Sequence, residues 1–480
     1  MLDNAENSAT SIENKRQFST FSALGIGYSI TNTALGVLLV VGTVLPFGGA
    51  PLLLGGFLMM AVIALSTAIS LAELCSAMPH PGGQYIWVNR LAPPEYRRFL
   101  SYATGMTGWF SAIIIGASGC LAVFQYLFSL IKLLKPAFVY QRWMGFAGYQ
   151  ALNLITLLLA TFKFAQPTIS KLMLILSCIT FGVFSITLFA MSTTRATTES
   201  FLGPLDNASG WPNGAAFLIG VNGLNWIFSC LDVTTHLAEE IPSPATNIPK
   251  VLMWTIAIGF CSGLITILAI LVNLPDGIDA SDDNSAVVLI YRITHSKVAA
   301  AVLSIPILIV SMGTVWAVQL WQSRLAWTLS REAAFPLHHH FCRLASSPFH
   351  TPIWSLFGSA FGTAIAGCLY LGSEIAFTSF SAAGVILQYF TYSLPVILVH
   401  YRGRAQISHG PFWFPMLGCI ANVIMLGWTL IVLVFYSFPP DLPVSTYQAN
   451  YTPGILVLIL SLICFVWFSF GRKFYEVKDM

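Results

Sequence analysis

The chain has 480 residues, 56% of them hydrophobic and only 9% charged, and its 22 basic and 19 acidic side chains leave a net charge of +3. A soluble chain carries about 25% charged residues, so this composition excludes a water-exposed globule and a disordered chain. Near-neutrality excludes a polyanion-binding surface, and what remains is an all-α polytopic membrane protein.

Residues 1–17 are polar, of mixed charge, and lack the apolar core and cleavage site of a signal peptide, so they read as a cytoplasmic tail. From Phe18 onward, a ruler of about 20 apolar residues per crossing predicts twelve spans. They lie near 20–44, 52–75, 100–130, 146–163, 168–191, 215–238, 251–274, 298–328, 353–371, 375–399, 412–437 and 453–471. Runs this continuous are unlike the short alternating strands of a β-barrel. The membrane domain is expected over 18–471, and residues 472–480 form a second tail.

Span 1 has small and hydroxyl residues at its middle, from Gly25 through Tyr28, Ser29, Thr31, Asn32 and Thr33 to Gly36. Span 2 ends at Glu73, followed by the loop Pro79 to Tyr85. Lys171 stands early in span 5, and Asn207 before span 6 is the glycosylation candidate in an Asn-Ala-Ser sequon. Span 6 repeats the irregularity of span 1, reading Gly220-Val221-Asn222-Gly223 and then Phe228-Ser229-Cys230-Leu231-Asp232. His236 follows one turn after Asp232, and Glu239 and Glu240 close the span.

Matched breaks five spans apart predict two five-helix repeats of opposite topology, about 18–195 and 210–400, plus two extra helices over 411–471. Unwinding frees backbone groups, which is tolerable in a membrane only beside protein or a wet cavity. A binding site is therefore expected there, with Ser29, Thr31, Asn32, Thr33, Phe228, Ser229, Cys230 and Asp232 as candidate substrate-binding residues. Phe228, beside the break, is the expected outer gate, with Tyr28 and Trp226 as further aromatic candidates over a cation.

Ionisable groups inside spans are costly and point to function. Asp232 is suited to attract an amine or relay a proton, and His236 titrates near neutrality, as proton coupling requires. Glu239 and Glu240 are expected in an inner gate, pairing with Arg324 or Arg331. The nine cysteines form no C-x-x-C pair, so neither a disulfide framework nor a zinc site is expected, and the consecutive His338, His339 and His340 converge poorly on a metal. No phosphate loop or nucleophile–base constellation is present, so no cofactor, no nucleic acid and no enzymatic activity are expected.

With the N-terminus inside, sixteen Lys and Arg fall on the cytoplasmic side and six on the other, predicting both termini in the cytoplasm.

The segments Leu71 to Pro79, Gly82-Gly83-Gln84-Tyr85, Glu239-Glu240-Ile241-Pro242, Ser323 to Trp327 and Phe438 to Val444 carry a resemblance over nearly the whole chain. The chain resembles the amino acid–polyamine–organocation superfamily, and within it the fungal-type amino acid/choline transporters that include GABA and choline permeases. The resemblance implies a LeuT-like fold and alternating-access transport of a small amine or amino acid, usually driven by protons, less often by sodium. It places the substrate between the broken centres of spans 1 and 6, with spans 3, 8 and 10 as walls. It also implies a short bent helix after span 2, and a coupling role for Lys171 where some relatives carry a span-5 lysine in place of sodium. The sequence departs from the pattern: Thr31-Asn32-Thr33 stands where a Gly-x-Gly is usual, and Cys230-Leu231 where Gly-Phe is usual. That puts recognition of ordinary α-amino acids in doubt and favours GABA-like or choline-like substrates, taken up across the plasma membrane. A non-transporting receptor of the same fold, or a permease for α-amino acids or polyamines, is the alternative.

Overall fold

A computed structural model describes residues 18–191, 203–274, 285–346, 349, 351–444 and 449–477. The tail 1–17 and the basic residues Arg195 and Lys478 lie outside the described residues. Among the described residues the chain is helical without strands, with twelve helices long and apolar enough to cross a membrane. The spans run Thr20–Phe47, Gly49–Ala77, Arg97–Leu134, Arg142–Ala160, Lys163–Ala190, Asn213–Leu237, Pro244–Leu271, Lys297–Arg331, Ile353–Gly372, Glu374–Arg402, Pro415–Phe435 and Thr452–Phe474. Each coincides with a predicted span. The structure extends several of them, because a helix continues past its apolar stretch into the headgroup region, where lysine and arginine stems reach water.

The first four spans each pack on the span five further along the chain. Span 1 packs on span 6, span 2 on span 7, span 3 on span 8 and span 4 on span 9. Span 10 lies against span 3 and is the most enclosed, while span 12 is peripheral. A short helix, Gln84–Leu91, follows span 2 and packs along span 3.

Two spans are interrupted. Span 1 consists of Thr20–Thr31 and Thr33–Val44, joined at Asn32. Its backbone ladder nearly survives, since the Asn32 N–H reaches Tyr28 O (2.7 Å) and the Gly36 N–H reaches Asn32 O (2.8 Å). Span 6 breaks more fully. Its helix ends at Trp226, Cys230 adopts a left-handed φ of 64°, and Leu231–Leu237 is a 3-10 turn. The broken spans touch at Gly36, where a Cβ would fall 2.5 Å from Ile227 Cγ2 and 3.3 Å from its Cα. Only glycine permits that approach.

Candidate functional site

Between the two breaks and spans 3 and 8 lies a cavity of about 30 Å³, room for roughly two water molecules. Its span 1 wall runs from Ile30 to Leu39, from the break toward the face opposite the chain ends. The polar lining is uncharged: Thr31, Asn32, Ser229, Thr314 and the Trp226 indole, beside the Cys230 thiol. Thr314 donates to Ser29 O at 2.7 Å, tying span 8 to span 1. Trp226 donates to Ser118 Oγ at 3.3 Å, and Ser229 donates to Trp226 O at 2.6 Å. The Cys230 N–H, freed by the break, reaches Gln388 Oε1 of span 10 at 3.1 Å. The hydroxyls of Ser29 and Thr31 are buried without a partner, a costly condition.

Asn32 is held on both sides. Its amide nitrogen donates to Ser177 Oγ of span 5 at 2.9 Å, and its Oδ1 accepts the Leu35 N–H at 3.4 Å. Two further candidates turn away from the cavity. Thr33 packs against Gly259 and Gly263 of span 7, and Phe228 packs on Phe57 of span 2 with ring centroids 5.4 Å apart. The aromatic ring on the cavity wall is Trp226.

The Asp232 carboxylate also lies off the cavity, at a buried polar junction. Its Oδ1 accepts from Tyr392 (2.6 Å) and Gln388 (3.5 Å), and its Oδ2 from Gln84 (2.9 Å), with His236 Nε2 at 3.3 Å. His236 Nδ1 stands 2.7 Å from Pro81 O; a carbonyl only accepts, so Nδ1 carries hydrogen. The junction thus joins span 6, span 10 and the connection after span 2. His80, on that connection, accepts the Gly82 N–H at 2.9 Å. Burial, with Arg90, Arg331 and His236 nearby, pushes its imidazole down to about 4.

Toward the chain ends the bundle is closed by ion pairs. Arg324 holds Glu240 through two hydrogen bonds of 2.8 and 3.2 Å and also donates to Gln166 at 3.0 Å. Burial alone would push the Glu240 carboxyl up. The Arg324 charge and hydrogen bonds, with Lys163 nearby, outweigh it and hold the carboxyl below the ordinary range. Arg331 pairs with Glu239 at 3.0 Å. Glu73 pairs with Arg404, beyond span 10, at 3.0 Å and accepts the Phe414 N–H at 2.9 Å. Both chain ends are fastened here: the Phe18 N–H donates to Glu240 O (3.1 Å), and its ring lies 5.8 Å beneath the Arg324 guanidinium. The Tyr475 hydroxyl meets Ser101 at 2.7 Å, Arg98 donates to Tyr475 O at 2.7 Å, and the Glu476 N–H reaches Glu332 O at 3.2 Å.

Lys171 is half-buried on span 5, beside Ser170, whose backbone touches Gly25 of span 1. The Asn207 side chain spends its amide hydrogens on Trp211 O (2.6 Å) and Asn213 Oδ1 (3.2 Å). Among the described residues no three His, Cys, Asp or Glu side chains are grouped to hold a metal. Residue-level reading missed Thr314, Ser118, Gln388, Gln84 and Tyr392. Their one signal is a polar side chain inside or beside an apolar span, and many packing residues share it.

Twelve apolar spans among the described residues, two of them broken around a central cavity, define a multi-pass membrane protein, and its relatives are membrane transporters. The chain belongs to the amino acid permease family, whose model matches residues 18–462. It is 54% identical to a transmembrane transporter of Metarhizium robertsii, over 98% of this chain and 94% of that protein. A swainsonine transporter of Arthroderma benhamiae is also 54% identical, over 98% of this chain and 94% of its own. A choline transporter of Saccharomyces cerevisiae is 33% identical, over 97% of this chain and 83% of its own.

Proposed function

We propose that the chain is a proton-driven permease that carries a small amine bearing hydroxyl groups, choline-like or swainsonine-like, between the broken centres of spans 1 and 6. The observation that carries this reading is the cavity lining. It offers the unpartnered Thr31 hydroxyl, the Ser229 and Thr314 hydroxyls and the Trp226 indole, with no charged side chain. Hydroxyls exchange hydrogen bonds with a hydroxylated solute, and an indole face attracts a cation by about 0.5–2 kcal/mol. Asp232, engaged with three donors besides His236, serves the junction rather than the solute. The packing of spans 1 to 4 on spans 6 to 9 supports the inverted-repeat reading, in which the repeats rock about the cavity. The basic bias supports cytoplasmic termini, and the plasma membrane is the proposed location.

The test is radiolabelled uptake in cells stripped of endogenous permeases, with choline, swainsonine, GABA, β-alanine and α-amino acids, with and without a proton uncoupler. Choline or swainsonine should accumulate and the uncoupler should abolish it. Binding without flux would instead indicate a receptor, and uncoupler-resistant, sodium-dependent uptake would replace the proton by sodium.

A further inference from the structure

We infer that Asn32 acts as a built-in substitute for a substrate carboxylate and so restricts this permease to solutes without one; the inference rests on the transport reading above and narrows its substrate class. The second half of span 1, Thr33–Val44, begins at the cavity wall. The start of a helix exposes N–H groups without intrahelical partners and carries partial positive charge, so it favours an anionic oxygen. Here Asn32 is the N-cap residue, and its own Oδ1 accepts the Leu35 N–H. Both Asn32 and Leu35 line the cavity, so the capped N–H is one that an incoming carboxylate would otherwise meet.

The cap is not free to swing aside, because the Asn32 amide nitrogen is anchored to Ser177 of span 5. Next to it, Thr31 presents a buried hydroxyl with no partner. That group can donate to or accept from a solute hydroxyl, whereas a full negative charge would meet the Asn32 oxygen in place of the Leu35 N–H, with the Ser229, Thr314 and Trp226 donors already engaged by Trp226 O, Ser29 O and Ser118. The wall therefore complements a neutral hydroxyl and withholds from a carboxylate the Leu35 N–H that it would need. Among amines of equal size, the lining matches the hydroxyl of a choline-like solute and not the carboxylate of GABA or an α-amino acid.

The experiment is competition for radiolabelled choline uptake by unlabelled GABA, β-alanine and alanine, in the wild type and in Asn32→Gly and Asn32→Asp, with surface expression measured in parallel. Wild type should be indifferent to the carboxylated competitors. Asn32→Gly uncaps the helix, and the concentration of GABA or alanine needed for half-inhibition should fall about tenfold. Asn32→Asp keeps the cap and adds negative charge, so the choline KM should fall while carboxylates remain excluded. Equal competition by GABA and choline in the wild type would overturn the inference. So would an Asn32→Gly protein at the surface that still ignores carboxylates. If Asn32→Gly does not reach the surface, an unchanged choline KM in Asn32→Asp decides against it. A wild type that carries no amine at all removes the transport reading and this inference together.

Discussion

The Tyr392 hydroxyl donates to Asp232 at 2.6 Å, fastening span 10 to the 3-10 turn of span 6. Tyr392→Phe removes one hydrogen bond to a buried charge, which costs about 1.5–3 kcal/mol. The melting temperature of the detergent-solubilised protein should drop measurably. Asp232→Ala should be worse, by about 3–5 kcal/mol, because His236 and the donors from two other elements lose their acceptor. A Tyr392→Phe protein as stable as wild type would mean that the junction does not hold the bundle.

Glu240 and Arg324 close the face that carries the chain ends. Arg324→Ala should open it, and Cys230, on the cavity wall, reports the opening. Labelling of Cys230 by a membrane-impermeant thiol reagent applied from that face should speed up about tenfold, the effect of shifting an equilibrium by 1.4 kcal/mol. Cys230→Ser gives the background. Equal rates in the two proteins would place the gate elsewhere.

Acid should weaken the fold through His80. The folded protein holds this ring near 4, below its ordinary 6.5, so between those values the unfolded chain binds the extra proton. Stability rises with pH wherever the unfolded state holds more protons. The contribution is complete above 6.5 and is lost as pH falls toward 4, on the order of 3 kcal/mol in all. Thermal unfolding followed from pH 7 to 4 should decline more steeply in wild type than in His80→Gln. The Glu240 carboxyl has the same sign at lower pH: held below its ordinary 4.5, it supports the gate above that value and loses its effect as pH falls beneath it.

At the crossing of spans 1 and 6, Gly36→Ala sets a Cβ against Ile227. Overpacking of this kind costs about 1–3 kcal/mol, and surface expression and transport should both fall. Adding Ile227→Ala, which removes the Cγ2 that the new Cβ would strike, should restore part of the loss. A double variant no better than the single would rule out this contact as the cause.

The spans were legible because a membrane demands about 20 apolar residues in each. The breaks were legible because glycine and polar residues cluster only where a backbone can afford to unwind. The ion pairs were legible in part: charges near helix ends set Glu239 and Glu240 against Arg324 or Arg331, and the fold assigns Glu240 to Arg324 and Glu239 to Arg331. Rotational phase was not legible. Thr33 and Phe228 were expected at the binding site, yet they lie against Gly259 and Phe57, because spans 1 and 6 are apolar or small on nearly every side and give no preferred face. Nor were the partners of Asp232. Gln84 and Tyr392 lie 148 and 160 residues away in the chain, and only tertiary packing brings their polar ends to one carboxylate.

The anchoring of Phe18 to Glu240 and of Tyr475 to Ser101 has a practical consequence. Any movement that parts Arg324 from Glu240 drags Phe18 with it, and any shift of span 3 tugs on Tyr475. Fluorophores attached just ahead of Phe18 and just after Tyr475 would therefore act as a strain gauge, reading each turnover as a change in separation. A rigid fusion at either end would instead act as a brake.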